Sequence, residues 1–355
     1  MADGISRFIS YVSGERRGAA GAIVRSGLRA LSVPYRLCCS GRNALYNCGL
    51  LMCRELDARV ISVGNITTGG TGKTPLVIWI GRWLQARGVR TAILSRGYGP
   101  KAPSAGGESD EMLLFRRYLP KIPHLVGSNR HAIGRRAITE LEAECLLLDD
   151  GFQHVALGRD LDIVLVDSLL PFGYGHVLPR GLLREPLTAL RRAGVVVLTR
   201  CDLATKEDLR SLERRIQEIC GFRPVVESVH RPVRFYRHAT EESRPLSWGK
   251  GKRVFAFSAL GNPAAFPRTL EALGAEVLRH EAFRDHHWYG QDDLAALAHA
   301  AVEAGADAVV TTEKDAVKIH AFPEDAPPLY VLAIEFAVTQ GEELLTHALA
   351  QAIES

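Results

Sequence analysis

The chain has 355 residues, of which 46% are hydrophobic and 24% charged, and its formal net charge is +4. These fractions exclude a disordered or collagen-like chain, and the length suits two domains that each bury a core of their own. Seven cysteines form no C-x-x-C pair, which argues against a structural zinc site and favours reduced thiols in the cytoplasm.

A basic segment forms the N-terminal sixth of the chain. Residues 1–59 carry nine arginines against four acidic residues, which suggests an anionic partner surface, either a membrane or a nucleic acid. Apolar residues recur at helical spacing before Pro34, which should end a first helix, and a second apolar patch with arginines covers residues 35–53. The segment is therefore either a helical hairpin packed on the core or a pair of interfacial helices with arginines on lipid phosphates. Its apolar runs are shorter than the roughly 18 to 20 residues of a spanning helix.

Beyond residue 59, short apolar runs alternate with helical patterns, which indicates a parallel sheet covered by helices. Continuous Val, Ile and Leu in these runs predicts strands that are buried on both faces. The predicted strands of this first α/β domain lie at residues 59–64, 90–95, 145–150, 162–167 and 194–199.

A domain junction is predicted over residues 223–250. Its first part alternates with the two-residue period of extended chain, and the polar stretch after it contains Gly and Pro. Three further strands, predicted at residues 253–259, 307–312 and 329–334, form a second, smaller α/β unit. The predicted division is 1–58 for the basic helices, 59–222 for the first α/β domain, 223–250 for the linker and 251–355 for the smaller domain.

The stretch NITTGGTGKTP, residues 65–75, follows the first predicted strand and precedes an amphipathic helix. This order is the setting of a phosphate-binding P-loop, although Thr67 stands where the usual pattern has glycine. Backbone N–H groups of such a loop converge on phosphate oxygens, Lys73 reaches the β- and γ-phosphates and Thr74 ligates Mg²⁺. The predicted nucleotide-binding residues are Thr67, Thr68, Gly69, Gly70, Thr71, Gly72, Lys73 and Thr74.

Two adjacent carboxylates, Asp149 and Asp150, follow four apolar residues at the end of a predicted strand. A P-loop enzyme needs an acid at the end of a neighbouring strand to hold Mg²⁺, directly or through water. Ligand sites of α/β proteins lie at this end of the strands, and carboxylate oxygens suit Mg²⁺. Thr74, Asp149 and Asp150 are therefore the predicted metal ligands, and a solvated turn is the structural alternative.

The pair His286-His287, in FRDHHWYG, stands out among the remaining polar clusters because histidine exchanges protons near neutral pH. A metal site is the rival interpretation, and solvated loop histidines are the structural alternative. The other clusters are SRGYG, ESDE, SNRHAIGRRA and LPRGLLREP. Each is weak by itself, since a lone loop arginine is more often solvated than functional.

Taken in order, these motifs resemble those of the tetraacyldisaccharide 4'-kinase family over nearly the whole chain. The matching stretches are VGNITTGGTGKTP, LSRGYG, SDE, SNR, LLDDGFQH, RDLDIVLVD, LPRGLLREP, GNPAAFPRTLEALG, DHHWY and TTEKDAVK. The resemblance implies phosphoryl transfer from Mg-ATP to the 4'-hydroxyl of a tetraacylated glucosamine disaccharide 1-phosphate, giving lipid IVA in lipid A biosynthesis. It also implies a P-loop NTPase-like α/β fold with two domains joined by a β-ribbon. The protein would lie on the cytoplasmic face of the bacterial inner membrane, anchored by its N-terminal segment.

The resemblance further implies roles for single residues. The implied catalytic residues are Lys73, Asp110, Asp150 and His286. Asp110 would orient a histidine of DHH, for which His286 is preferred to His287, so that the ring takes the proton of the sugar hydroxyl. Proline usually follows the acidic pair in this family, whereas Met112 follows it here. The residues expected to face the disaccharide and its 1-phosphate are Tyr98, Arg130, His154, Arg184 and Glu185.

A nucleotide switch, meaning a P-loop GTPase or ATPase that acts on a protein or metal partner, is the alternative function. The stretch TRCD, residues 199–202, is faintly similar to the N-K-x-D guanine motif but has Thr199 and Arg200 at its first two positions. A nucleic-acid binder is disfavoured because the basic segment lacks interleaved aromatic residues for base stacking. No obligate protein partner is predicted.

Overall fold

The computed structural model describes residues 8–97 and 108–354, and the chain forms two compact units. The first unit is built from Met1–Arg96, Lys121–Val229 and Phe336–Ser355, and the second from Gly97–Pro120 and His230–Glu335. Each unit combines separated stretches of the chain, whereas the division predicted around residues 223–250 is contiguous in sequence. The C-terminal segment packs on strands of the first unit, and an insertion between its second and third strands belongs to the second unit.

All eight strands predicted for the two α/β domains are present, and the extended chain predicted after residue 223 is also a strand. In chain order the strands are β1 (Arg59–Asn65), β2 (Thr91–Ser95), β3 (His124–Val126), β4 (Cys145–Asp149), β5 (Leu161–Asp167), β6 (Val195–Thr199), β7 (Val225–Arg237), β8 (Ser243–Arg244), β9 (Arg253–Ser258), β10 (Glu276–Ala282), β11 (Ala308–Thr312) and β12 (Leu329–Gln340). The sequence analysis did not predict β3, β8 and β10, which are short or have no fully buried residue.

The helices cover the sheets, as the alternating pattern predicts. In chain order they are α1 (Ala19–Asn47), α2 (Lys73–Ala86), α3 (Asp110–Tyr118), α4 (Arg130–Leu141), α5 (Lys206–Cys220), α6 (Ala265–Ala272), α7 (Gln291–Glu303), α8 (Glu313–Ala316) and α9 (Glu342–Glu354).

The sheet of the first unit is parallel, in the order β7-β6-β5-β1-β4-β2-β3. Strands β2, β4, β5 and β6 are buried along their whole length, which explains their continuous apolar sequences. Because the strands are parallel, the loops after β1, β4, β5 and β6 emerge at one edge of the sheet. Ligands of open α/β sheets bind at this edge.

The second unit has its own parallel strands, in the order β10-β9-β11-β12. One apolar cluster around Phe266 and Leu270 of α6 and another around Leu294 and Leu297 of α7 pack against these strands. Strand β8 pairs antiparallel with β7 and forms a short ribbon inside the range predicted as the linker. The fold is thus an α/β fold with a large, mostly parallel sheet and a smaller α/β unit, as expected.

The N-terminal basic segment contains one long helix, not the pair that the sequence predicts. Helix α1 runs through Pro34, which lies on its exposed side. Proline removes a single backbone hydrogen bond. On the other side of the helix, Ser32 donates a hydrogen bond to the Val177 carbonyl and Tyr35 donates one to the Arg184 carbonyl. These two bonds hold the helix on both sides of Pro34 against the rest of the first unit. Among the described residues, no helix combines the length and the apolar content that crossing a bilayer requires.

Candidate active site

The loop between β1 and α2 has the backbone of a phosphate cradle. Gly69 has φ +119° and Gly72, the residue before α2, has φ +88°, values that side chains rarely allow, so both positions need glycine. Thr67, at the place of the usual first glycine, has no positive φ, and its side chain is therefore tolerated. The Thr68 backbone N–H donates to the Leu182 carbonyl at 2.7 Å and fixes the start of the loop.

Lys73 opens α2 and points back across the loop. Its Nζ lies 3.3 Å from Asn65 Oδ1, at the end of β1, and 3.2 Å from Asp150 Oδ1, after β4. The ammonium is therefore held at the carboxyl edge of two adjacent strands. This is where a P-loop lysine contacts the phosphates of a nucleotide.

The adjacent carboxylates after β4 have different environments. Asp149 is buried, its Oδ1 has no hydrogen-bond partner, and burial raises its pKa to about 6. Asp150 has a left-handed backbone with φ +54°, which turns its side chain toward Lys73 and Arg184. Burial raises the pKa of Asp150, but these two cations outweigh it and lower the pKa to about 2. Asp150 is thus already paired, whereas Asp149 offers a buried oxygen that lacks a partner.

Arg184 holds the acidic edge of the site from a neighbouring loop. Its Nη1 donates to Asp150 Oδ2 at 2.8 Å and to Gln153 Oε1 at 3.3 Å, and its backbone N–H donates to the Ile66 carbonyl at 2.7 Å. The loop that contains Arg184 is therefore fastened to the cradle by main chain and side chain.

Arg130 and His154 lie in a positively charged region of the same unit. Arg130 is the first residue of α4, its side chain is buried, and its Nε has no hydrogen-bond partner. Burial and the charge of Arg96 lower the pKa of Arg130. Burial, followed by the charges of Arg130, Arg159 and Arg96, lowers the pKa of His154 to about 4. A neutral imidazole among arginines suits an anionic ligand. Tyr98 lies outside the described residues.

Glu185 has protein partners on both carboxylate oxygens. It is 1% exposed, accepts from Arg192 at 3.1 Å and accepts from Asn43 of α1 at 2.6 Å. The hydrogen bond from Asn43 fastens α1 to the rest of the first unit. These contacts give Glu185 a structural role, and its predicted position facing the disaccharide stays a prediction.

The second unit brings Asp110 and His286 together, although they are 176 positions apart in sequence. His286 Nδ1 lies 3.0 Å from both carboxylate oxygens of Asp110, which is buried as the first residue of α3. His286 has a left-handed backbone with φ +61°, a strained conformation for a residue with a side chain. His287 instead contacts Asp293 at 2.8 Å and stacks on Phe283. The structure therefore places His286, and not His287, against Asp110.

Two further groups control the charge of this pair. Lys314 of α8 lies 2.8 Å from Asp285 Oδ1 and 3.7 Å from Asp110 Oδ2. Burial raises the pKa of Asp110, but hydrogen bonds from His286 and Glu111 and the charge of Lys314 together hold it well below its usual value. Burial and the hydrogen bond to Asp110 raise the pKa of Glu111 to about 8. Burial lowers the pKa of His286, but its bond to Asp110 more than offsets this.

Lys314 stands in the motif TTEKDAVK, but the sequence alone predicts no role for it. Asn65 and Arg200 were also missed. All three follow or end a parallel strand, since Asn65 ends β1, Arg200 follows β6 and Lys314 follows β11 by two positions. Polar residues at the carboxyl ends of parallel strands are candidates for ligand sites, and this rule applied to every strand would have selected them.

The sheet order, the glycine-rich cradle and the lysine and carboxylates around it define a P-loop α/β phosphotransferase as the class of protein. Residues 24–354 match the family model described as Tetraacyldisaccharide-1-P 4'-kinase. The chain belongs to this family. A tetraacyldisaccharide 4'-kinase of Anaeromyxobacter sp. (strain K) is 43% identical over 354 residues, which cover 96% of this chain and 93% of that protein.

Other relatives agree with this membership. A tetraacyldisaccharide 4'-kinase of Syntrophus aciditrophicus (strain SB) is 40% identical over 334 residues, or 88% of each chain. A crystal structure of LpxK from Aquifex aeolicus in complex with ATP is 29% identical, with a TM-score of 0.68, and covers 93% of this chain and 99% of that one. These matches do not favour the nucleotide-switch alternative.

Proposed function

We propose that the protein transfers the γ-phosphoryl group of ATP to the 4'-hydroxyl of a tetraacylated glucosamine disaccharide 1-phosphate, giving lipid IVA. The observation that carries this proposal is the assembled cradle in a chain of the kinase family, with Lys73 between Asn65 and Asp150. In this proposal the cradle binds the nucleotide, and Asp110 with His286 supplies the base.

The residues around the cradle fit Mg²⁺. Asp149 has the hard oxygen donor that Mg²⁺ prefers, and Oδ1 of this buried carboxylate has no partner in the protein. Thr74 follows Lys73 and is the second expected ligand. Asp150 holds Lys73 and Arg184 in place and completes the acidic set. When bound, the ion would neutralise charge that develops on the phosphate oxygens.

Asp110 and His286 form the base in this proposal. A carboxylate against Nδ1 orients the ring and favours the tautomer with Nε2 free to accept a proton. Hydrogen bonds from His286 and Glu111 and the charge of Lys314 keep the pKa of Asp110 low, so Asp110 stays ionised. The pair can therefore take the hydroxyl proton as the new bond to phosphorus forms. The strained backbone of His286 is consistent with a ring that is held for chemistry.

Arg130, His154 and Arg184 are proposed to bind the head group of the lipid. The Nε of Arg130 lacks a protein partner, and arginine at a helix N-terminus is well placed to bind a phosphate. Arg184 is the nearest of the three to the acidic edge because it bonds to Asp150. Tyr98 remains a proposed contact of the disaccharide.

Helix α1 is proposed to rest on the cytoplasmic face of the bacterial inner membrane. Its inward side is polar, with Ser32, Tyr35 and Asn43 hydrogen-bonded to the first unit. Its outward side is apolar, with Ile23 72%, Leu31 62% and Leu37 66% exposed. Such a helix buries its polar side against the protein and exposes its apolar side. Transfer of the apolar side from water into a lipid interface lowers the free energy.

One experiment tests the proposed reaction. Purified protein in detergent micelles receives Mg-ATP with and without the tetraacylated disaccharide 1-phosphate, and both ADP and phosphorylated lipid are measured. The proposal expects ADP release that depends on the lipid and equals the phosphorylated product. Full ATP hydrolysis without lipid, or ADP release with no phosphorylated lipid, would contradict it.

A further inference from the structure

Arg200 joins the phosphate cradle to a strand that is two positions away in the sheet. It follows β6, and the order β6-β5-β1 separates it from the strand that precedes the cradle. Its Nη2 donates to the Gly70 carbonyl oxygen at 2.8 Å, and its Nη1 is hydrogen-bonded to the carboxylate of Asp167, which ends β5. One guanidinium therefore spans three adjacent strand ends.

The surroundings of Arg200 fix its side chain. Both members of the ion pair are about nine-tenths buried, with exposures of 12% for Arg200 and 9% for Asp167. The other oxygen of Asp167 accepts from the Leu169 backbone N–H at 3.0 Å, which holds the carboxylate. Arg200 itself has φ +59°, an uncommon conformation for a residue with a side chain. Such strain persists only where the neighbouring structure determines it, and here it aims the guanidinium at the cradle.

The hydrogen bond from Arg200 to the Gly70 carbonyl also affects the N–H group of the next residue, Thr71. The peptide between Gly70 and Thr71 is planar and trans, so its C=O and N–H point in opposite directions. Because Arg200 holds the Gly70 carbonyl, it also fixes the direction of the Thr71 N–H on the opposite side of this peptide. N–H groups that are already correctly oriented bind phosphate oxygens without a further ordering cost. Loss of this orientation should therefore weaken binding of the nucleotide.

We propose that Arg200, held by Asp167, is a positioning residue that presents the cradle N–H groups to the phosphates of the nucleotide. This inference depends on the proposed nucleotide-binding function of the same loop. It gives the TRCD stretch a role that does not involve recognition of a guanine base. Asn65 supports the loop from the other side through a 3.5 Å contact with the Gly69 carbonyl, so the cradle is held at two successive carbonyls.

The test is calorimetric binding of AMP-PNP with MgCl₂ to wild-type protein and variants. Arg200→Met is expected to raise Kd by about tenfold or more, since hydrogen bonds from charged groups are the stronger class. Arg200→Lys keeps one donor and should recover part of the loss. Arg215→Ala, which removes an exposed ion pair with Glu218 on α5, is the matched control and should leave Kd unchanged.

The readouts separate positioning from a role in folding. In the lipid assay, Arg200→Met should raise KM for ATP while KM for the lipid stays constant. If a buried unpaired Asp167 unfolds that variant, the double change Arg200→Met with Asp167→Asn removes both charges and keeps the measurement possible. A Kd within twofold of wild type in the folded variants, even with a lower Tm, would overturn the inference. Failure of the wild type to bind AMP-PNP would instead refute the nucleotide-binding function, and the inference with it.

Discussion

Replacement of Lys314 by methionine should move the acid limb of the pH–rate profile. The side chain is half-buried beside the base, with Nζ 3.7 Å from Asp110 Oδ2 and 2.8 Å from Asp285 Oδ1. Its positive charge opposes protonation of both Asp110 and His286. Methionine keeps a similar length and apolar stem but removes the charge, so protonation of the pair becomes easier.

The size of the shift follows from the distances. Two unit charges 3.7 Å apart interact by about 4.5 kcal/mol at an effective dielectric constant of about 20, which corresponds to about 3 pKa units. Solvent screens part of this interaction, since the side chains of His286 and Asp285 are 28% and 29% exposed. We therefore expect the pKa that limits activity at low pH to rise by at least about one unit.

The assay is kcat/KM for the lipid against pH at saturating Mg-ATP, for wild type, Lys314→Met and Lys314→Arg. The methionine variant should lose activity at a higher pH than the wild type as the solution is acidified, while the two approach each other at alkaline pH. The arginine variant keeps the positive charge, so its activity should fall at the same pH as that of the wild type. Coincident acid limbs for wild type and Lys314→Met, with both proteins folded by their Tm across the pH range, would refute the reasoning.

Three further changes test the site and the membrane surface. Asp149→Asn should lower kcat by at least about 100-fold and raise the Mg²⁺ concentration needed for half-maximal rate. In the wild type, the affinity for Mg²⁺ should decrease when the pH is lowered below about 6, because protons then compete for the Asp149 carboxylate. His286→Ala should lower kcat by about 100-fold or more with little change in the Kd for ATP, whereas His287→Ala should mainly lower Tm, and the reverse pattern would assign the base to His287. Leu37→Glu should reduce sedimentation with vesicles of anionic phospholipid, while Val302→Glu on α7 should not, although Val302 is also an exposed apolar residue, at 55% against 66% for Leu37. Equal binding by the wild type and both variants would exclude α1 as the contact.

The strands and the cradle could be predicted because their signals are local. A buried parallel strand must be apolar along its length, and β4, β5 and β6 are. The glycines of the cradle are required by backbone angles at their own positions, which is why Thr67 could replace the first of them without loss of the loop. The carboxylates after β4 were predicted for the same reason, since strand ends are recognisable in sequence.

The partners of charged residues could not be predicted in this way. Asp110 and His286 meet across 176 positions, and only resemblance to a family suggested the pair. Glu185 stands in a motif beside Arg184, yet one side chain faces the acidic edge and its neighbour is buried in an ion pair with Arg192. Adjacent residues in an irregular loop have no periodicity that assigns them to opposite sides, so the sequence held no signal for this difference.

The two acidic pairs of the protein follow one physical rule. In each, a buried carboxyl group has a half-buried carboxyl neighbour, and nearby cations or hydrogen bonds stabilise the charge of only one of the two. Asp150 has a pKa of about 2 and Asp149 about 6, while the pKa of Asp110 is held low and that of Glu111 is about 8. Two carboxyl groups at close range cannot both ionise freely, because their negative charges repel. The carboxyl group whose charge is not stabilised by the protein therefore binds another positive group. For Asp149 that group is Mg²⁺ in our proposal, and for Glu111 it is a proton, which makes Glu111 a hydrogen-bond donor that keeps Asp110 ionised beside His286.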